Sequence, residues 1–162
     1  MASTSNQRRP LTFHNLDDAV REAGLLLEYG YTQAGNWSLA QCCDHLSAWL
    51  RLPLDGFPRQ PAPVRAMLWC FKHAFGKRML TRWLADNAMP AGKPTLRETV
   101  SVSAGDDREA VARFRESVAR FKSHTGPLDP SPLFGELDRE SATRLQLIHC
   151  ALHLGFLIPK HS

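Results

Sequence analysis

Proline sets the outer limits on this fold. The stretch PLDGFPRQPAP, residues 53–63, holds four prolines and a glycine in eleven residues. A proline has no amide proton to give a helix or an inner strand, so this stretch must be a loop. PLDPSPLFGEL, residues 127–137, is a second break, and ADNAMPAGKPTLRETVSVSAG, residues 85–105, is a long irregular connection. Between the breaks, apolar residues recur at three- and four-residue intervals, the signature of helices with one buried face.

Local signals predict where each helix starts. Asn15 can cap a first helix running to about Tyr31, with Asp17 and Asp18 in its first turn and Leu16, Ala19, Val20, Ala23, Leu26 and Leu27 as its stripe. Ser38 with Gln41 makes a capping-box pattern for a second helix. Leu39, Cys42, Leu46, Trp49 and Leu50 form its buried edge, and Pro53 is expected to stop it. A third helix from about Val64 to Leu84 is rich in bulky residues, and the aromatics of its WCFKHAF segment are expected in the core.

Asp106 caps a fourth helix, with Val111, Phe114, Val118 and Phe121 inward and Gly126–Pro127 at its end. Asp138 or Ser141 opens the last helix, which Pro159 closes. There is no hairpin signal and no βαβ alternation. The expected fold is all-α: a four-helix bundle with long connecting loops and one short extra helix or strand, ETVSVS at residues 98–103 being the candidate extended piece. The 162 residues suit one domain over 13–162, preceded by a flexible polar arm over 1–12.

Composition narrows the function classes. Twenty Lys+Arg against sixteen Asp+Glu give a net charge of +4, and the cations are scattered singly, unlike a nucleic-acid footprint. No apolar run is long enough to span a bilayer, and the N-terminal stretch has no apolar core of a secretory signal. Cys42 and Cys43 are adjacent while Cys70 and Cys150 stand alone, which is not a disulfide framework. The expectation is a cytoplasmic protein that binds neither nucleic acid nor membrane.

The chemistry lies in the histidines. His149 and His153 are four residues apart in TRLQLIHCALHLGFLIP, on a face shared with Leu145, Leu152 and Phe156. That spacing brings both rings to one ion. Taken alone the pair is a weak signal, more readily read as two hydrogen-bonded core imidazoles or as one buried and one exposed ring. His45, three residues after Cys42 and four before Trp49, sits on the apolar stripe of the second helix and changes the balance. Three inward rings are hard to satisfy as core groups, whereas a divalent cation takes one lone pair from each. Three histidines also leave a coordination position open, as in catalytic rather than purely structural zinc sites. Nitrogen donors of this kind suit zinc or nickel first, and iron.

WSLAQCCDHLSAWL, followed a hundred residues later by SPLFGELDRESATRLQLIHCALHLGFL, resembles the DinB-like (YfiT-like) superfamily of metalloenzymes, and within it a domain-of-unknown-function branch. The shared pattern is Trp37–Ser38 at the start of helix two, His45–Leu46 on it, a Phe134–Gly135 turn and a final helix with His149 and His153–Leu154. The likeness spans Phe13 to Pro159. It implies a four-helix bundle with a metal triad of His45, His149 and His153. One departure is Leu152, where that branch often carries another histidine. The resemblance also implies a thiol-dependent transferase or related small-molecule enzyme, in which a low-molecular-weight thiol, held as thiolate by the ion, attacks an electrophilic small molecule.

The remaining candidates take plainer roles. His73 is expected at the surface or partly buried, His124 at a helix end, and His14 and His161 in solvent. Cys42 and Cys150 read as packing residues, and Trp37 and Trp49 read first as core packing, with walling the site as the alternative. Asp44 reads as solvent-facing. Two alternatives stay open. One is a non-catalytic bundle whose structural metal is closed by a fourth ligand, Cys42 or His73. The other is an interaction module that forms a homodimer.

Overall fold

The computed structural model describes residues 8–92, 99–100 and 105–160. The chain is mostly helical, with one small antiparallel sheet. In order come α1 (Leu16–Tyr29), β1 (Tyr31–Gln33), α2 (Leu39–Asp55), α3 (Ala62–Phe71), a π-helical turn (Lys72–Gly76), α4 (Lys77–Asp86), α5 (Asp107–Ser123), α6 (Arg139–Leu154) and β2 (Leu157–Pro159). Among the described residues, no helix is long and apolar enough to cross a membrane. ETVSVS falls outside the described residues except for Thr99 and Val100.

Each expected N-terminus is where short polar side chains can reach free amides. Asn15 accepts from the Asp18 amide, and the Asp18 carboxylate returns a bond to the Asn15 amide. Ser38 and Gln41 form the same reciprocal pair at α2. Asp106 accepts from Glu109 at α5, and Asp138 from Ser141 at α6. Such caps typically contribute about 1 kcal/mol each.

The core forms where α1, α2, α5 and α6 meet. Leu16, Ala19, Ala23 and Leu26 of α1, Leu39, Leu46 and Leu50 of α2, Phe114, Val118 and Phe121 of α5, and Cys150 and Leu154 of α6 are buried there. Helix α6 stops at Leu154, short of Pro159. The chain turns at Gly155, and Leu157 becomes a buried strand residue opposite Gln33, with Tyr31 opposite Pro159. Proline suits that end position, where a missing donor costs little. Arg9 fastens the same corner: its amide donates to the Gly155 carbonyl, its guanidinium to the Leu157 carbonyl and to Glu22.

The third helical segment departs from expectation. No residue of α3 is buried, and Met67, Trp69 and Phe75 are each about 60% exposed. Helices α2 and α5 pack directly on each other and fill the core without it. The segment is also not one helix: it passes through a π turn at Gly76, where a Cβ would lie 2.2 Å from the Leu133 carbonyl oxygen. Only glycine allows that approach without displacement.

Pro53 does not end α2. The helix runs through it to Asp55 and terminates at Gly56, whose φ is +97°. A proline inside a helix deprives the carbonyl four residues earlier of its amide partner. Here that carbonyl is Trp49, and the side-chain amide of Gln146, from α6, donates to it at 3.0 Å.

Candidate metal centre

Helix α2 carries His45, and its N-terminus is held from outside. The Asp107 carboxylate accepts from the Ala40 amide at 2.8 Å and from the Tyr31 hydroxyl at 3.0 Å, and that hydroxyl oxygen accepts from the Leu39 amide. Asp107 sits in the first turn of α5, so this network ties α5 and β1 to the start of the helix that presents His45. Sequence reasoning missed it; an acidic residue next to the Asp106 cap looks like an ordinary first-turn charge.

His45 is buried, 1% exposed. Its Nδ1 lies 3.0 Å from the Thr99 carbonyl oxygen, which can only accept, so Nδ1 carries the proton and Nε2 keeps its lone pair. That lone pair faces α6. The Nε2 of His149 is 3.2 Å from the Nε2 of His45, and 3.0 Å from the Nε2 of His153. Three ring nitrogens thus turn to one point from two helices. One proton on His149 can satisfy one neighbour, and the arrangement leaves at least one lone pair facing another.

A shared cation removes that conflict. Metal–nitrogen bonds of 2.0–2.1 Å in tetrahedral geometry put ligand nitrogens about 3.3 Å apart, close to the two separations found here. The ligand atoms of His45, His149 and His153 all lie within 4.8 Å of one another, and the residues fit a divalent ion. Among the described residues no carboxylate or thiol joins the group. The Cys42 sulfur instead approaches the His153 carbonyl oxygen at 3.8 Å.

Burial keeps the rings neutral. Desolvation lowers the pKa of His45 to about 4, against a weaker opposing effect of the Thr99 hydrogen bond. Desolvation lowers that of His153 to about 3, with the neighbouring His45 ring and then the Arg8 guanidinium acting in the same direction. His149 is held well below the usual imidazole range, first by desolvation and then by the two neighbouring rings. Neutral imidazole is the ligating form. Burial works the other way on the thiols, pushing Cys42 and Cys150 up to about 12, so both stay protonated packing groups.

Two tryptophans enclose the cluster. Trp37 stacks on His153 with centroids 5.1 Å apart and planes 8° apart, and meets His45 edge-on at 4.9 Å. Trp49 stands edge-on to His149 at 5.6 Å and to His45 at 6.3 Å. The other histidines lie elsewhere. His73 is exposed, bonded to the Trp69 carbonyl and packed on the Trp69 ring. His124 follows α5, and its Nε2 lies 3.2 Å from the Pro127 carbonyl oxygen. His14 is exposed, and His161 is outside the described residues. Asp44 is not free in solvent; it pairs with both guanidinium arms of Arg113, linking α2 to α5.

Fold and site together define a mostly helical protein with three histidines that could hold a metal ion. The chain belongs to the family described as "protein of unknown function (DUF1569)", whose sequence pattern matches residues 5–160. No curated protein and no solved structure matches the chain.

Proposed function

We propose that the chain is a DinB-like four-helix bundle, built from α1, α2, α5 and α6, that binds one divalent cation through His45, His149 and His153. The observation that carries this is the meeting of three Nε2 atoms at 3.0 and 3.2 Å, with the His45 tautomer set by the Thr99 carbonyl so that its lone pair faces the others. Zinc or nickel is the first choice and iron the next. When bound, the ion supplies Lewis acidity that lowers the pKa of a thiol or water beside it.

The chain's own residues do the rest. Desolvation keeps all three imidazoles uncharged at neutral pH. Trp37 and Trp49 fix the ring planes and wall off water. A set of three protein ligands supports an open site over a structural one, since Cys42 faces a backbone carbonyl and His73 is exposed. The activity that suits such a site is a metal-dependent, thiol-dependent transferase acting on a small electrophile, with a low-molecular-weight thiol as co-substrate, in the cytoplasm. Equilibrium dialysis of tag-free protein against zinc tests the binding step: one ion per chain is expected, and uptake that His45→Ala does not reduce would overturn the assignment.

A second reading is favoured by one observation. Met67, Trp69 and Phe75 expose apolar surface on the α3 side, as a homodimerising interaction module would. Light scattering on wild type and Trp69→Glu separates the readings: a dimer lost in the variant, without bound metal, would favour this one.

A further inference from the structure

The charges of this chain are unevenly shared. Residues 56–85 hold six cations, Arg59, Arg65, Lys72, Lys77, Arg78 and Arg82, and no Asp or Glu. The rest of the chain carries fourteen Lys+Arg against sixteen Asp+Glu, so the whole positive excess resides in this one stretch. Among the described residues, Arg82 alone of the six has a carboxylate partner, Asp86 at 3.4 Å. All but Lys72 are exposed.

The same stretch builds α3, the π turn and α4, whose backbone stays right-handed helical across both junctions. Met67, Phe71 and Phe75 follow at four-residue steps, and the rings of Phe71 and Phe75 lie 5.9 Å apart, so one apolar stripe runs into the π turn. Its two ends, Met67 and Phe75, are the most exposed large apolar residues described, and Cys70 and Ala74 are exposed between them. Lys77 and Arg78 follow directly. An apolar stripe beside cations is the pattern of a helix that lies on an anionic membrane surface, with its apolar side chains among the acyl chains and its cations at the headgroups. Among the described residues no helix can cross a membrane, but one that lies on its surface needs no such length. A second copy of the chain suits the stripe less well. A two-fold contact would set these cations against their own kind, with no acid in the segment to answer them. A nucleic acid would use the charge and leave the stripe uncovered.

We infer that the α3–α4 segment docks on an anionic lipid surface, with Met67, Phe71 and Phe75 entering the interface and Lys77 and Arg78 meeting the headgroups. Metal binding plays no part in this docking.

Cosedimentation of the full chain with sucrose-loaded vesicles tests this, using pure phosphatidylcholine beside phosphatidylcholine with about one-third phosphatidylglycerol. Wild type is expected to pellet with the anionic vesicles, to stay in solution with the neutral ones, and to be released by about 0.5 M salt. Lys77→Glu/Arg78→Glu should weaken binding by at least about tenfold. Phe75→Ser, at an exposed position where the fold loses little, should weaken it about tenfold as well. Arg108→Glu/Arg115→Glu, at exposed positions of α5, changes the net charge equally and should bind within about twofold of wild type. Equal loss in the two double variants, unchanged binding of Phe75→Ser, or equal pelleting with neutral vesicles overturns the docking. So does wild type that stays in solution with the anionic vesicles, and a dimer or a duplex-DNA complex broken by the same variants would then identify a different occupant.

Discussion

The Nε2 atoms of His45 and His149 face each other at 3.2 Å, although the residues are 104 positions apart in sequence. Helix α2 brings one and α6 the other, and His153, one turn further along α6, completes the cluster. Each ring is held by something other than its neighbours: the Thr99 carbonyl at His45, the Trp49 edge at His149 and the Trp37 face at His153. Pre-positioned ligands of this kind lose little freedom on taking up an ion.

Metal-free protein should lose stability as pH falls from 7.5 to 5. The folded-state pKa of His45, about 4, lies below the unfolded value of about 6.5. The unfolded chain therefore binds more protons between those values. The stabilisation is complete above the unfolded pKa and disappears as pH falls through the folded one. For His45 alone, the full span is about 3 kcal/mol. Urea denaturation in the presence of chelator should show the fall in wild type and a shallower one in His45→Ala. A flat profile in both would contradict the burial described here.

Glycine substitutions should split in sign. Gly24→Ala, inside α1 with nothing within 4 Å of a built Cβ, should stabilise by about 0.5–1 kcal/mol. Gly76→Ala forces a Cβ against the Leu133 carbonyl and should destabilise by more than about 2 kcal/mol. Thermal melts of the two variants check this, and a neutral Gly76→Ala would show that the close approach is not maintained.

Asp107→Ala removes the acceptor for the Ala40 amide and the Tyr31 hydroxyl. A loss of about 1–3 kcal/mol is expected. Weaker metal uptake should accompany it, because the start of α2 loosens. Asp106→Ala removes only a local cap and should leave metal affinity nearly unchanged. Calorimetric zinc titration of the pair distinguishes a positioning role from a general loss of stability.

The elements that were legible in the sequence are those set by neighbours in the chain. The caps at Asn15, Ser38, Asp106 and Asp138 each need only a side chain three residues from an amide. The HxxxH spacing on α6 is equally local. That His45 turns inward was legible from its place on the apolar stripe of the second helix, and the resemblance added the same triad; its contact with a residue 104 positions away is beyond any periodicity. The exposure of α3 is not legible in its sequence, because bulky apolar content says nothing about which helices win the core, and α2 and α5 meet directly. Pro53 misled for a different reason. Its cost to the helix is offset by Gln146, ninety-three positions away and invisible to any local rule.

Zinc should raise the melting temperature of chelator-treated wild type. A hundredfold excess over the dissociation constant corresponds to about 2.7 kcal/mol of added stability. His153→Ala should lose most of that response, whereas His124→Ala, far from the cluster, should keep it. An equal response in both variants would point to non-specific binding.

Whether the three histidines hold an ion is decided by the metal content of purified, tag-free protein by plasma mass spectrometry, measured for wild type, His149→Ala and His73→Ala. Close to one zinc, nickel or iron per chain is expected in wild type and in His73→Ala, and almost none in His149→Ala. Wild-type protein that carries no metal and takes up none when zinc or nickel is added would contradict it, and the three imidazoles would then be core polar groups of a helical protein.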